Sequence, residues 1–188
     1  MATKIPELAI KPLTNPGHIR VLELAPGGQN DPLIGRLEHV EVSVAGYEAL
    51  SYEWGRPEKT HDFHLQDGLK IPITESLHNA LKDLRYNHQF RKIWADGICI
   101  NQDDLEERSL QVSMMGAIYR KALRVITYIG PESDDSAMAV DFSRILCQLI
   151  ESGADDSYVM PGDPRLLPAS DQRCWRALKS LLLRRWVR

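Results

Sequence analysis

No stretch of the sequence approaches the roughly 18 consecutive apolar residues that a membrane-spanning helix needs, so no membrane span is expected. The opening Met1-Ala2-Thr3-Lys4-Ile5-Pro6-Glu7 lacks the apolar core of a secretory signal, and a cytoplasmic location is the corresponding expectation. Cysteine is scarce: Cys99, Cys147 and Cys174 are odd in number and widely spaced, which fits neither a disulfide framework nor zinc-ligand spacing and points to a reducing compartment. Charge of one sign is also lacking. With 23 basic and 26 acidic residues the net charge is -3, too small a field to grip nucleic acid, and only Arg184, Arg185 and Arg188 form a locally basic tail. There is no glycine-rich phosphate loop, no internal repeat and no low-complexity tract.

What is present is ordinary globular material. The 188 residues are 43% hydrophobic and 26% charged, enough for one domain with a core. Residues 1–18 carry three prolines and a Gly17-His18 step and read as an extended lead-in, leaving a single domain over 19–188. Ile19–Leu24 alternates apolar and polar residues, Pro26-Gly27-Gly28 breaks the run, and Leu37–Val44 alternates again, a pair of antiparallel strands. Ala49–Tyr52 is a short buried strand, and a small strand pair surrounds the Asp67-Gly68 turn. Thr74 caps a helix with apolar positions Leu77, Ala80, Leu81 and Leu84, and Ile93–Ile98 is the next strand. A second helix runs from Asp104 to Ala122, acidic at its start and basic at its end, with Leu105, Val112, Met115, Ile118 and Tyr119 as its buried stripe. Val125–Ile129 is a strand. Ser133-Asp134-Asp135 opens a third helix to Glu151, Ser152–Ala169 is a loop, and a last helix spans Ser170–Leu183. Strands alternating with helices of this length imply an α/β fold of three layers, a mostly parallel sheet flanked by helices with an antiparallel addition at the N-terminus.

Ligands of such sheets bind beyond the carboxyl ends of the strands, where helix N-termini and loop amides converge. Two of those ends, Ser51-Tyr52-Glu53-Trp54-Gly55 and Asp96–Gln102, are rich in polar and aromatic side chains and form the candidate site. Tyr52 and Trp54 can stack on a planar ring, Gly55 lets backbone approach closely and Ser51 offers a hydroxyl; a core aromatic pair with a structural turn is the competing explanation. Asp96 can orient ribose hydroxyls or a leaving group, or cap the adjacent loop. Asn101 can cap the following helix, whereas Gln102 is less easily explained that way. Glu107 and Arg108 lie in the first helical turn, where Glu107 suits the dipole whether or not it meets a substrate. Cys99 has no histidine beside it in sequence and reads as a small buried residue rather than a nucleophile. His61 and His64, three apart on a strand, point to opposite faces, so no metal site is expected.

Taken together, Tyr47–Gly55, then Ile93–Gln102, then Glu107-Arg108 through Gln111-Val112, Met115, Ile118-Tyr119 and Ala122 resemble the successive signature blocks of the fungal heterokaryon incompatibility (HET) domain. The resemblance covers residue 19 onward. It implies a fungal effector of programmed cell death in nonself recognition, with a fold similar to the Toll/interleukin-1 receptor domain, some members of which cleave NAD. NAD is then a substrate rather than a resident cofactor, Asp96 and Glu107 are the candidate catalytic acids with Glu53 as a further one, and Ser51, Tyr52, Glu53, Trp54, Gly55, Cys99, Asn101, Gln102 and Arg108 are ligand-binding candidates. Family members continue past an Arg-Pro-Trp-like block into a Trp-x-x-Gln-Glu segment, whereas this sequence stops at Leu183–Arg188, so a C-terminally truncated form is expected. The alternative is a non-catalytic module that self-associates or docks a sensor partner.

Overall fold

The structure, a computed structural model, describes residues 10–13, 15–44, 46–152 and 172–186. The chain divides into two compact units, Met1–Tyr128 and Ile129–Arg188.

The first unit is built on one seven-stranded sheet. Its strands are β1 (His18–Leu24), β2 (Ile34–Glu41), β3 (Glu48–Tyr52), β4 (His61–Leu65), β5 (Lys70–Ile73), β6 (Arg91–Trp94) and β7 (Val125–Tyr128), in the spatial order β5-β4-β2-β1-β6-β3-β7. Three helices flank it: α1 (Glu75–Leu84), α2 (Asp96–Cys99) and α3 (Leu105–Lys121). Leu77, Ala80 and Leu81 of α1 and Ile118 of α3 join Leu22, Leu24, Leu50, Phe63, Ile93 and Trp94 of the sheet in one core.

The sheet is mixed, which corrects the expectation of a mostly parallel one. Antiparallel pairing covers seven residue pairs in β1–β2, three in β1–β6 and four in β4–β5, against two in β2–β4, two in β3–β6 and four in β3–β7 for parallel pairing. The βα alternation from which parallel pairing was inferred describes only the β6-β3-β7 half. The N-terminal strands extend that half through β1, which pairs antiparallel on both its edges.

That position also explains the burial of β1. Its apolar-polar alternation suits a strand with one solvated face, yet Ile19, Arg20, Val21, Leu22 and Leu24 are all buried. Arg20 is accommodated only because α3 brings a carboxylate to it.

Two further expectations change. The strand assigned to Ile93–Ile98 stops at Trp94, because Asp96–Cys99 closes a single helical turn: the Cys99 amide donates to the Ala95 carbonyl at 2.8 Å and the Ile100 amide to the Asp96 carbonyl at 3.3 Å. Helix α3 is capped by Asp104 rather than by Asn101, the Asp104 carboxylate accepting from the Glu106 and Glu107 amides while the Asn101 side chain accepts only from the Asp103 amide before the helix. Its inward stripe is shifted, however. Gln111 and Ile118 are the buried positions, with Met114, Met115, Tyr119 and Ala122 packed against the core, while Leu105 and Val112 are exposed. Polar anchors set this rotation: the Gln111 amide donates to the His18 carbonyl at 2.9 Å, and the Tyr47 hydroxyl donates to the Ile118 carbonyl at 2.8 Å.

Glu48 fastens the parallel half. One carboxylate oxygen accepts from Arg91 Nε at 2.5 Å and the other from Arg124 Nε, so β3 is tied to β6 and to the segment entering β7. Burial pushes its pKa up, but the two guanidiniums outweigh that and hold it below the ordinary 4.5. A depressed carboxylate stabilises fully above its unfolded value and loses that contribution as pH falls through the lower folded value. Glu48→Gln is therefore expected to cost about 2 kcal/mol near neutrality. In urea titrations at descending pH the gap to wild type should narrow below 4.5.

In the second unit α4 (Ser136–Glu151) packs on α5 (Gln172–Trp186). Phe142 meets Trp175 edge to face at 4.9 Å between ring centroids, and Ala139, Ala177 and Leu181 form a small apolar centre beside it. The loop expected over Ser152–Ala169 lies outside the described residues except for Ser152, which caps α4. Among the described residues the last helix spans Gln172–Trp186, past the expected end at Leu183, and its expected start at Ser170 lies outside the described residues.

Candidate functional site

Strands β3 and β6 are adjacent and parallel, with Ala49 opposite Trp94, so the segments leaving their carboxyl ends emerge side by side. From β3 come Tyr52, Trp54 and Gly55; from β6 comes the single turn of α2, which begins with Asp96. The turn aims the Asp96 carboxylate back at the β3 loop. Trp54 Nε1 donates to Asp96 Oδ2 at 2.9 Å, the Gly97 amide donates to Oδ1 at 2.8 Å, and the Tyr52 hydroxyl donates a further hydrogen bond to the same carboxylate. The Gln102 side-chain amide closes the arrangement by donating to the Asp96 carbonyl at 2.8 Å.

The electrostatics of this cluster are those of a desolvated acid. Burial raises the Asp96 pKa above the ordinary 3.8 and outweighs the donors that favour its anionic form. Tyr52 is also pushed up, first by burial and then by the negative charge of Asp96, and stays a neutral donor. Such a carboxylate can hold a ligand hydroxyl or accept a proton, and Trp54, 41% exposed, presents ring surface beside it.

The loop that carries Trp54 is held from α1. Ser76 donates from its hydroxyl to the Glu53 carbonyl, and Gly55 adopts φ +66, the left-handed region that favours glycine, with its Cα facing Ser76. Gly97 is more tightly constrained. A Cβ built there would fall inside contact distance of the Tyr52 hydroxyl, so Gly97→Ala must push Tyr52 off Asp96. Such overpacking is expected to cost about 1–3 kcal/mol in a thermal melt and to move the fluorescence transition of Trp54 on acidification to higher pH, because Asp96 loses a donor that favours its anion.

Glu107 belongs to a different cluster. Its carboxylate forms a two-pronged pair with the fully buried Arg20, Nη1 to Oε1 at 2.5 Å and Nη2 to Oε2 at 2.8 Å, and Oε1 also accepts from the Asn101 amide at 2.8 Å. Arg20 spends its other N–H groups on the Cys99 carbonyl at 3.2 Å and on the Lys11 carbonyl at 3.1 and 2.6 Å. Asn101 uses its side-chain oxygen to accept from the Asp103 amide, and exposed Arg108 reaches the Gln102 carbonyl at 3.4 Å. This second cluster shapes the 100–102 loop from below. The structure thus brings together Asp96, Tyr52, Trp54 and Gln102, and sets Glu107 and Asn101 with Arg20 instead.

Cys99 is fully buried, its sulfur accepting from the Ala95 amide at 3.4 Å, and burial pushes the thiol up to about 12. It is a protonated packing residue at ordinary pH. Ser51 is half-buried on β3 and Glu53 contributes its carbonyl to the loop anchor. His61 stacks on His78 with ring centroids 4.1 Å apart, and no group of three or more His, Cys, Asp or Glu among the described residues is placed to hold a metal.

Two residues of the architecture escape sequence reading. Arg20 carries a signal, a cation in an alternating strand, which becomes legible once β1 is known to be covered on both faces. Ser76 carries none, since a serine in a first helical turn is ordinary.

The profile of a family described as "Heterokaryon incompatibility protein (HET)" matches residues 47–188. Heterokaryon incompatibility protein 6, OR allele, of Neurospora crassa is 38% identical over 138 residues, a match covering 66% of this chain and 20% of that protein. The chain therefore spans about a fifth of the length of this relative. No solved structure matches.

Proposed function

Because the chain belongs to the heterokaryon incompatibility family, we propose that it acts in fungal incompatibility as a death-inducing module of nonself recognition, and that its working site is the Asp96 cluster. The chemistry proposed is cleavage of the bond between nicotinamide and ribose in NAD, with water as the second reactant and nicotinamide, ADP-ribose and a proton as products. Asp96 holds a ribose hydroxyl and stabilises the positive charge that develops on the sugar, while the Trp54 ring supports the base. A ligand hydroxyl reaches the carboxylate by replacing the indole N–H, its most exposed donor. Ser51 and Gly55 line the approach, and Glu107 with Arg20 fixes the loop that carries Gln102. A likeness to Toll/interleukin-1 receptor domains is part of this proposal.

The observation that supports the reading best is a carboxylate with a raised pKa, held between an exposed indole and a half-buried phenol beyond the carboxyl ends of two parallel strands. The test is to incubate the full chain with millimolar NAD, both dilute and clustered on a multivalent carrier, and to quantify nicotinamide. Release above the spontaneous rate supports the proposal; no release in either state removes the cleavage step.

A second reading, a non-catalytic module that works by self-association or by docking a sensor, is favoured by a separate observation. Helix α3 leaves Leu105, Leu110 and Val112 exposed. Among the described residues no helix is long and apolar enough to cross a membrane.

A further inference from the structure

The outward face of α3 is organised in a way that core packing does not require. Glu106, Ser113 and Arg120 recur every seven residues, and Leu110 and Ala117 fall between them at helical spacing, so all five lie along one stripe about four turns long. Glu106, Leu110, Ser113 and Arg120 are exposed, and Ala117 is half-buried. The first part of the stripe, Leu105, Glu106, Ser109, Leu110 and Ser113, forms an open and nearly flat face.

The middle of the stripe is effectively apolar despite its serines. The Ser113 hydroxyl is satisfied within the helix, donating to the Leu110 carbonyl at 2.7 Å. Gly116 beside it has open space where a Cβ would stand, so a partner can come close. The ends carry opposite charge, Glu106 at one and Arg120 at the other, and neither forms an ion pair among the described residues.

We propose that this face pairs with the same face of a second copy of the chain, the two α3 helices running antiparallel about a two-fold axis at Ser113. In that arrangement Glu106 of each copy meets Arg120 of the other, and Leu110 of each fits the space beside Gly116 of the other. Parallel alignment would instead place Glu106 on Glu106 and Arg120 on Arg120, so the charges select the antiparallel pair. Opposed helix dipoles favour it as well. A surface of one helical stripe is small beside the 1,200–2,000 Å² of roughly standard stable interfaces, so the dimer is weak and responds to local concentration. The inference rests on the assembly reading and is independent of the Asp96 chemistry.

The experiment is sedimentation equilibrium of the full chain from micromolar to millimolar concentration, with three variants. Wild type is expected to dimerise reversibly. Glu106→Arg alone and Arg120→Glu alone should each weaken the dimer by about tenfold or more, because like charges are then opposed twice. The double variant Glu106→Arg with Arg120→Glu restores dimerisation, as does mixing the two single variants. The double variant is informative because it places a cation at the helix N-terminus and an acid at the C-terminus, which harms the helix itself. Recovery can therefore come only from the pairing. Circular dichroism of every variant reports whether α3 remains folded. A wild type that stays monomeric to millimolar concentration overturns both this pairing and self-association. A dimer whose affinity is untouched by either single reversal overturns the pairing while leaving self-association through another surface.

Discussion

Replacing Arg20 with methionine is expected to lower the unfolding free energy by about 3–5 kcal/mol. Arg20 is fully buried, and its five N–H groups are distributed over Glu107, the Cys99 carbonyl and the Lys11 carbonyl. Methionine fills similar volume, so the loss is not mainly one of packing. What remains is the Glu107 carboxylate, 8% exposed, with its cationic partner gone and the Asn101 amide left to solvate it. Removing one member of a buried pair costs more than the pair contributes, since the orphaned charge keeps its desolvation penalty. The double variant Arg20→Met with Glu107→Leu should therefore recover much of the loss. Chemical denaturation of the two proteins reads this directly. A single-variant loss below 1 kcal/mol on the order of a surface pair would mean that the cluster is not what holds α3 to β1.

Asp96→Asn is expected to separate function from folding. The raised Asp96 pKa means that the folded state binds its proton more tightly than the unfolded chain does. Stability attributable to this group therefore falls as pH rises from the ordinary 3.8 through the higher folded value, and the penalty persists above it. Asparagine removes that penalty at neutral pH, keeps the shape, and can still accept from the Gly97 amide. The variant should be at least as stable as wild type at pH 7, with the difference disappearing in acid below 3.8. In the proposed reaction it lacks the negative charge that balances the sugar cation, and activity should fall by about 10²-fold or more. Expressed in fungal cells at equal abundance, it should lose the capacity to kill that the wild-type module is proposed to have.

The parts of this molecule that could be read in the sequence are those governed by local rules. The α1 cap at Thr74 and the glycine turn at Gly68 each follow from the conformational needs of one short segment. The pairing of β1 between β2 and β6 does not, because it depends on long-range contacts that leave no period in the sequence. The antiparallel β1–β2 pair is legible from the alternation of the two strands, but the β6 neighbour is not, and without it the role of Arg20 and, through it, of Glu107 stays hidden. In α3, Met115, Ile118 and Tyr119 face inward as apolar periodicity implies, whereas Leu105 and Val112 do not, because Gln111 and the Tyr47 hydroxyl anchor the helix by hydrogen bonds that the period does not show. At the site, the two chain segments were legible as polar and aromatic strand ends. Their junction through Asp96 was not, since it depends on a helical turn where an extended strand was expected.

Those two segments now differ in kind from Glu107, whose carboxylate is committed to Arg20, while the Asp96 carboxylate faces an exposed ring. The most direct test of the account is the rate of nicotinamide release from NAD by clustered wild type and clustered Asp96→Asn at matched folded concentration. The account predicts measurable release by wild type and a rate lower by about 10²-fold or more in the variant, with an unchanged or raised melting temperature. Equal rates in the two proteins, or none in wild type, would contradict it.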